Sequence, residues 1–163
     1  MTSITVQKFG SSVLPSRNDL GKAVDEIYRA VRQGEKVVAV VSAFGDTTDL
    51  LLEQARAFCA EPDMSGLASL VATGEATAAS YLVLALDQAG IQAELFDASR
   101  AGLYTDGDSL DGTPIALDID KFQDVFAESS VIVMPGFVGR SATGAQTLLG
   151  RGGSDLTALF VAD

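Results

Sequence analysis

Lys8 opens the run Lys8-Phe9-Gly10-Ser11-Ser12, in which a cation is followed by small residues that let the backbone approach an anion closely while supplying amides and hydroxyls. The same run could serve an ordinary β-to-α turn, so spacing alone leaves phosphate binding and plain chain reversal both open. A second run, Ser42-Ala43-Phe44-Gly45-Asp46-Thr47-Thr48-Asp49, packs three hydroxyls and two carboxylates, enough to hold a polar small molecule or to cap the helix that follows. A third, Gly150-Arg151-Gly152-Gly153-Ser154-Asp155, joins flexible backbone to a guanidinium suited to bidentate carboxylate recognition, with amides at the positive end of a following helix. Glycines flanking an arginine cost conformational entropy on folding, and a purely structural turn seldom needs them all. The sequence contains no histidine. Ser-His-Asp and Cys-His catalysis, imidazole acid-base work and His-ligated zinc are thereby excluded together. Reactive chemistry is left to Lys, Arg, Asp, Glu, Ser, Thr and backbone amides.

These runs need elements to position them. Ser3 to Phe9 roughly alternates apolar and polar residues, as a strand would. Asn18 or Asp19 can cap a helix from about Asp19 to Arg32, with Leu20, Ala23, Val24, Ile27, Ala30 and Val31 on one stripe and Gly34 beyond its end. Lys36 to Ser42 is a β-branched run of the kind buried on both faces of a parallel sheet. Leu50, Leu51, Ala55 and Phe58 mark a second helix, broken at Glu61-Pro62-Asp63, and two further helical segments follow, the second from about Glu75 to Gly90. Ile91 to Phe96 reads as a third strand, Ile119 to Phe126 as a short helix, and Val131 to Met134 as a fourth strand before Pro135-Gly136. Ser154 to Asp163 has the pattern of an amphipathic helix (Leu156, Leu159, Phe160) that stops without a cap, so the chain is expected to be a fragment. Strands alternating with helices predict an α/β sandwich around a mainly parallel sheet, with right-handed crossovers. In open α/β sheets ligand groups gather at the carboxyl ends of strands, where all three runs fall.

With 163 residues, 47% hydrophobic and 20% charged, the chain has the balance of one globular domain, residues 1–163, and no repeat or linker divides it. A net charge of −11 repels phosphate backbones and anionic lipid surfaces, so neither nucleic acid nor a membrane is expected as a partner. Cys59 is the single cysteine and cannot form an internal disulfide. No charged-then-apolar leader is apparent, and apolar stretches such as Val37 to Ala43 fall short of a membrane span, so the expected location is cytoplasmic. Lys22, Lys36, Lys121, Arg100 and Arg140 are expected as surface charges. Asp106, Asp108 and Asp111, set among Gly107 and Gly112, read as a solvated loop without calcium-loop spacing, and no metal site is expected.

The wording and order of these runs resemble the aspartokinases of the amino acid kinase family. Val6-Gln7-Lys8-Phe9-Gly10-Ser11-Ser12-Val13 resembles the family's opening Lys-Phe-Gly-Gly-Thr/Ser-Ser, with one of its two adjacent glycines missing. Val40 to Leu50 is similar to the Val-Ser-Ala-x-Gly-x-Thr-Thr-Asp segment, Ala72-Thr73-Gly74-Glu75 to the Gly-Glu motif, and Pro135-Gly136-Phe137-Val138-Gly139 to Gly-Phe-x-Gly. Leu148 to Ala158 is close to Thr-Leu-Gly-Arg-Gly-Gly-Ser-Asp-x-Thr-Ala. Motifs of this length in the right order make the likeness specific.

The resemblance implies a three-layer α/β/α fold, truncated before the half that shapes the nucleotide site. It implies phosphoryl transfer from ATP, with Mg²⁺, to the β-carboxylate of L-aspartate, giving 4-phospho-L-aspartate for lysine, methionine and threonine biosynthesis. Lys8 would contact the phosphates in flight and Asp155 would orient Lys8. Gly10, Ser11, Gly152 and Gly153 would bring amides to the phosphates. Glu75 would hold the α-ammonium of aspartate and Arg151 its α-carboxylate, with Ser42, Thr48 and Ser154 lining the pocket. The isolated 163 residues are expected to be largely inactive, to hold no bound cofactor and to form a homo-oligomer. A second reading, suggested by the shortened glycine run, is a non-catalytic amino-acid-binding or regulatory region of the kind fused to some homoserine dehydrogenases.

Overall fold

The computed structural model of the chain describes residues 3–163. The first strand, β1 (Ile4–Phe9), leads through a 3-10 turn at Arg17–Asp19 into α1 (Leu20–Arg32) and β2 (Lys36–Val41). Then come α2 (Thr47–Phe58), the long α3 (Met64–Gln88), β3 (Ala93–Leu95) and the short α4 (Ala98–Ala101). A hairpin of β4 (Tyr104–Asp108) and β5 (Asp111–Ala116) precedes α5 (Ile119–Glu128) and β6 (Val131–Pro135). β7 (Val138–Arg140), β8 (Gln146–Leu148) and α6 (Gly153–Ala162) complete the described chain.

The four strands anticipated from hydrophobic pattern form one parallel sheet in the order β1-β2-β6-β3. Val37 to Val41 are all at most 1% exposed, so β2 is covered on both faces as its unbroken apolar run requires. On one face Phe9, Val37, Ala39, Val41, Val131 and Val133 meet the stripes of α1 (Ala23, Ile27) and of the second half of α3 (Ala78, Leu82, Leu86). On the other, Val38, Val40, Ile132 and Met134 meet Phe122 and Val125 of α5 and Ala158 and Val161 of α6. The result is a three-layer α/β/α sandwich.

Three features depart from the pattern-based expectation. The two helical segments predicted after Pro62 are one continuous 25-residue helix, α3. Gly74 at its middle would otherwise weaken it, but a Cβ there would stand 3.1 Å from Ala43 Cβ and 3.3 Å from Thr47 Cγ2, so the glycine admits the loop after β2. Second, the run containing Asp106, Asp108 and Asp111 is not an irregular loop but the β4-β5 hairpin, part of a second sheet ordered β5-β4-β7-β8. That sheet packs Val138 and Leu148 on Leu67, Ala68 and Val71 of α3. Third, the packed side of α2 is Leu51, Leu52 and Ala55, while Phe58 is 95% exposed. By length and composition α3 alone, among the described residues, is apolar enough to cross a membrane, and here Leu67, Val71, Ala78, Leu82 and Leu86 bury it in the core.

Candidate active site

The carboxyl ends of β1, β2 and β6 lie side by side, and a closed ring of contacts joins the segments that leave them. Ser42 N–H donates to the Phe9 carbonyl at 3.0 Å, tying the β2 loop to the end of β1, and Gly136 N–H donates to the Val41 carbonyl at 2.8 Å, tying β6 to β2. Phe137 N–H donates to Thr157 Oγ1 at 3.0 Å, tying the β6 loop to α6. Lys8 Nζ lies 2.8 Å from Asp155 Oδ1 and brings α6 back to β1. Lys8, Ser42, Ser154 and Asp155 are therefore brought to one edge of the sheet.

Alternation along β1 puts Lys8 on the face that α6 covers, in register with Val40. Its side chain folds back over Gly10, where a Cβ would stand 2.7 Å from Nζ. Gly10 thus provides room rather than an unusual dihedral, and Ser11 beside it is exposed in the turn. Ser154 packs on Gly136, whose Cβ would stand 2.7 Å from Ser154 Cβ and 2.9 Å from its Cα. Thr48 lies half-buried in the first turn of α2; Asp46 at the N-cap makes no side-chain capping bond, Thr47 Oγ1 donates back to the Phe44 carbonyl at 2.6 Å, and the Thr48 hydroxyl has no partner among the described hydrogen bonds. Gly152 and Gly153 begin α6, with Gly152 left-handed at φ 75°. Arg151 is exposed and forms no ion pair among the described residues.

Glu75 is the unusual group. It sits on α3 next to Gly74, 3% exposed, and its Oε2 is buried without a hydrogen-bond partner. Burial pushes its carboxyl up to about 7, against the opposite pull of the backbone amides of Ala43 and of Glu75 itself. A buried carboxyl with an unused oxygen beside a strand-end loop can accept a cation that brings its own hydrogen-bond donors, such as an ammonium group.

The cations expected at the surface have occupations elsewhere. Lys22 and Lys121 pair with Asp19 and Asp118 on their own helices. Lys36 Nζ donates to the Ser129 carbonyl at 2.8 Å. Arg100 pairs with Glu94 and lies over the Phe96 ring, and Arg140 holds the Gly144 carbonyl and Ser99. A cleft of about 620 Å³ between α1 and α3, lined by Val24, Tyr81 and Leu84 among others, includes none of the residues of the ring. Sequence reasoning gave no role to Thr157 or Phe137. The available signal was a hydroxyl four residues after Gly153, on the inward stripe of a helix where only apolar side chains would be expected.

The fold and the sequence both have known relatives. The chain is 35% identical over 161 residues to the aspartokinase of Mycobacterium bovis, a match that takes in 98% of this chain and 38% of that protein. It therefore spans well under half the length of the curated relatives it matches. Among solved structures, aspartate kinase from Synechocystis superposes with a TM-score of 0.80 at 27% identity, covering 98% of this chain and 26% of that one. Escherichia coli aspartokinase III in complex with aspartate and ADP superposes with a TM-score of 0.77 at 21% identity, over 98% of this chain and 46% of that one. The profile of the Amino acid kinase family matches residues 3–163, the whole span over which the sheet, the ring of strand-end contacts and Glu75 have been described, and the chain belongs to that family.

Proposed function

We propose that this chain supplies the aspartate-binding and phosphate-contacting part of an aspartate kinase, which transfers the γ-phosphoryl group of ATP to the β-carboxylate of L-aspartate. The observation that carries this reading is the 2.8 Å Lys8–Asp155 pair at the sheet edge where buried, half-satisfied Glu75 also lies. The aspartokinase of Escherichia coli that shares the fold binds aspartate and ADP, which fits the same division of labour.

An amino-acid substrate of this kind presents one cation and two anions. Glu75 takes the ammonium, and Arg151, with Ser154, takes the α-carboxylate. Ser42 and Thr48 line the pocket. The β-carboxylate is already an anionic nucleophile and needs no general base, so a chain without histidine is not handicapped. What remains is positioning and charge neutralisation. Lys8, oriented by Asp155, meets the phosphoryl group in transfer, and the amides of Gly10, Ser11 and Gly152 face its oxygens, whereas the expected Gly153 amide is already committed to the Gly150 carbonyl at 3.1 Å. The absence of a Cβ at Gly10 lets the Lys8 ammonium lie close over the turn that would meet the phosphate. The phosphate charge that Lys8 and these amides leave unneutralised would be screened by Mg²⁺ carried on the nucleotide.

The test is a coupled ADP-release assay with aspartate and Mg-ATP, run beside a Lys8→Ala control and accompanied by calorimetric titration with aspartate and glutamate. Aspartate binding in preference to glutamate is expected, with little turnover from the 163 residues alone, because Lys8 and a few amides are too few contacts to align ATP. Equal or tighter glutamate binding would overturn the substrate assignment. Aspartate binding without turnover even in a longer chain carrying a nucleotide half would favour the non-catalytic region of a homoserine dehydrogenase fusion.

A further inference from the structure

Phe137 has φ 65°, the single non-glycine positive φ among the described residues. A large side chain persists in that conformation only where its surroundings over-determine it. Both polar groups of its backbone are engaged. Its N–H donates to Thr157 Oγ1 at 3.0 Å, and its carbonyl accepts from Leu149 N–H at 2.8 Å. Leu149 immediately precedes the Gly150-Arg151-Gly152-Gly153 loop and Thr157 lies one turn inside the helix that follows it, so both ends of the loop are fastened to one residue.

Thr157 is 0% exposed, and its hydroxyl donates onward to the Gly153 carbonyl at 2.9 Å. That leaves its oxygen lone pairs for the Phe137 amide, a combination of donor and acceptor on one short side chain that only a hydroxyl provides here. Packing reinforces the clasp. A Cβ on Gly153 would stand 2.5 Å from Phe137 Cδ2 and 2.9 Å from Leu149 Cβ. Between the two fastenings the loop turns through left-handed Gly150 (φ 69°) and Gly152 (φ 75°), and exposed Arg151 has no ion pair of its own among the described residues. The placement of the guanidinium is therefore inherited from the loop ends.

We propose that Thr157 is a positioning residue for substrate-carboxylate recognition: its hydroxyl clasps strained Phe137 to α6 and so fixes where the Arg151 loop presents its guanidinium. The inference rests on the reading of Arg151 as the α-carboxylate contact. It extends that reading to a residue that touches no substrate.

Two measurements on the same variants test it. Aspartate affinity is titrated for Thr157→Val, which keeps the shape without the hydroxyl, for Thr157→Ser, which keeps the hydroxyl, and for Arg151→Ala, with folding verified by circular dichroism. Hydrogen exchange is followed at the Gly150 to Gly153 amides. Thr157→Val is expected to weaken aspartate about tenfold and to speed loop exchange by a similar factor, with the sheet amides unaffected and Thr157→Ser within about twofold of the parent. If valine is not accommodated, Thr157→Ala replaces it in the comparison. Loop exchange unchanged by loss of the hydroxyl, or serine as impaired as valine, overturns the clasp. Aspartate binding that is absent or indifferent to Arg151→Ala overturns the reading of Arg151 instead, and the clasp is then decided by the exchange data alone.

Discussion

Lys8 Nζ and Asp155 Oδ1 stand 2.8 Å apart although one belongs to the first strand and the other to the last helix. The pair is far from buried, with side chains 31% and 67% exposed, so its electrostatic contribution to folding is below about 1 kcal/mol. Its value lies in aiming an ammonium group. Lys8→Ala in a catalytically complete protein is expected to reduce turnover by a factor of about 10³, and Asp155→Asn by about 10–10². Both should shift the chemical-denaturation midpoint only slightly. A large loss of stability with ordinary turnover per folded molecule would show the pair to be structural.

Glu75 supplies a pH dependence whose sign can be worked out. Its folded carboxyl sits at about 7, above the ordinary glutamate value of 4.5, so the folded state binds this proton more tightly than the unfolded state does. The associated stability is present below about pH 4.5 and is lost as pH rises through about 7, amounting to roughly 3 kcal/mol. Glu75→Gln should therefore raise stability at pH 8 and flatten its dependence between those limits, as read from urea midpoints.

The same group predicts the opposite trend for ligand binding. A substrate ammonium favours ionised Glu75, so aspartate must expel the proton below about pH 7, and its affinity should fall up to tenfold for each further unit of acidity until another group titrates. Calorimetry in buffers of different ionisation heat would register the released proton. A pH-independent affinity between 5.5 and 7.5 would remove Glu75 from the ammonium site.

Gly136→Ala tests how closely the β6 turn must approach α6. The new Cβ would fall 2.7 Å from Ser154 Cβ and 2.9 Å from the Ser154 Cα, and backbone cannot swing aside as a flexible side chain could. A loss of about 1–3 kcal/mol is expected from thermal unfolding, together with weaker aspartate binding because Ser154 is displaced. Unchanged stability would mean that the turn relaxes freely.

Self-association is the expected state of the isolated chain. Leu156 and Leu159 on α6 are 38% and 70% exposed, and β1 ends its sheet with one edge unpaired among the described strands. Light scattering at high concentration checks this, and a clean monomer would count against it.

Much of the larger sheet was legible because its strands are apolar and bounded by turn residues, β2 most plainly. The second sheet was not. Thr105-Asp106-Gly107-Asp108 and Asp111-Gly112-Thr113-Pro114 have the composition of turns, and what ties their hairpin into the sheet lies outside it: Thr105 shares a buried 2.7 Å hydrogen bond with Thr147 of β8, across β7, where Gly139, lacking a side chain, makes room. Gly74 likewise looked like a break in a helix. Its reason, contact with Ala43 and Thr47, lies where the loop after β2 enters α2, at the far end of that helix in the chain. At the site, spacing identified which loops carry chemistry, whereas the clasp through Thr157 depends on a backbone dihedral at Phe137 that no side-chain pattern encodes.

The strand order carries a consequence for synthesis on the ribosome. Among the described strands β3 pairs only with β6, and β6 fills the place between β3 and β2. A nascent chain halted before Val131 can pair β1 with β2 and grow α3, but β3 waits without a neighbour beside a gap one strand wide. Until β6 emerges, the Val38 and Val40 face is bounded by an open edge, the arrangement that attracts a holdase chaperone or a second nascent chain. The sheet therefore closes late, by insertion into its middle rather than by addition at its rim.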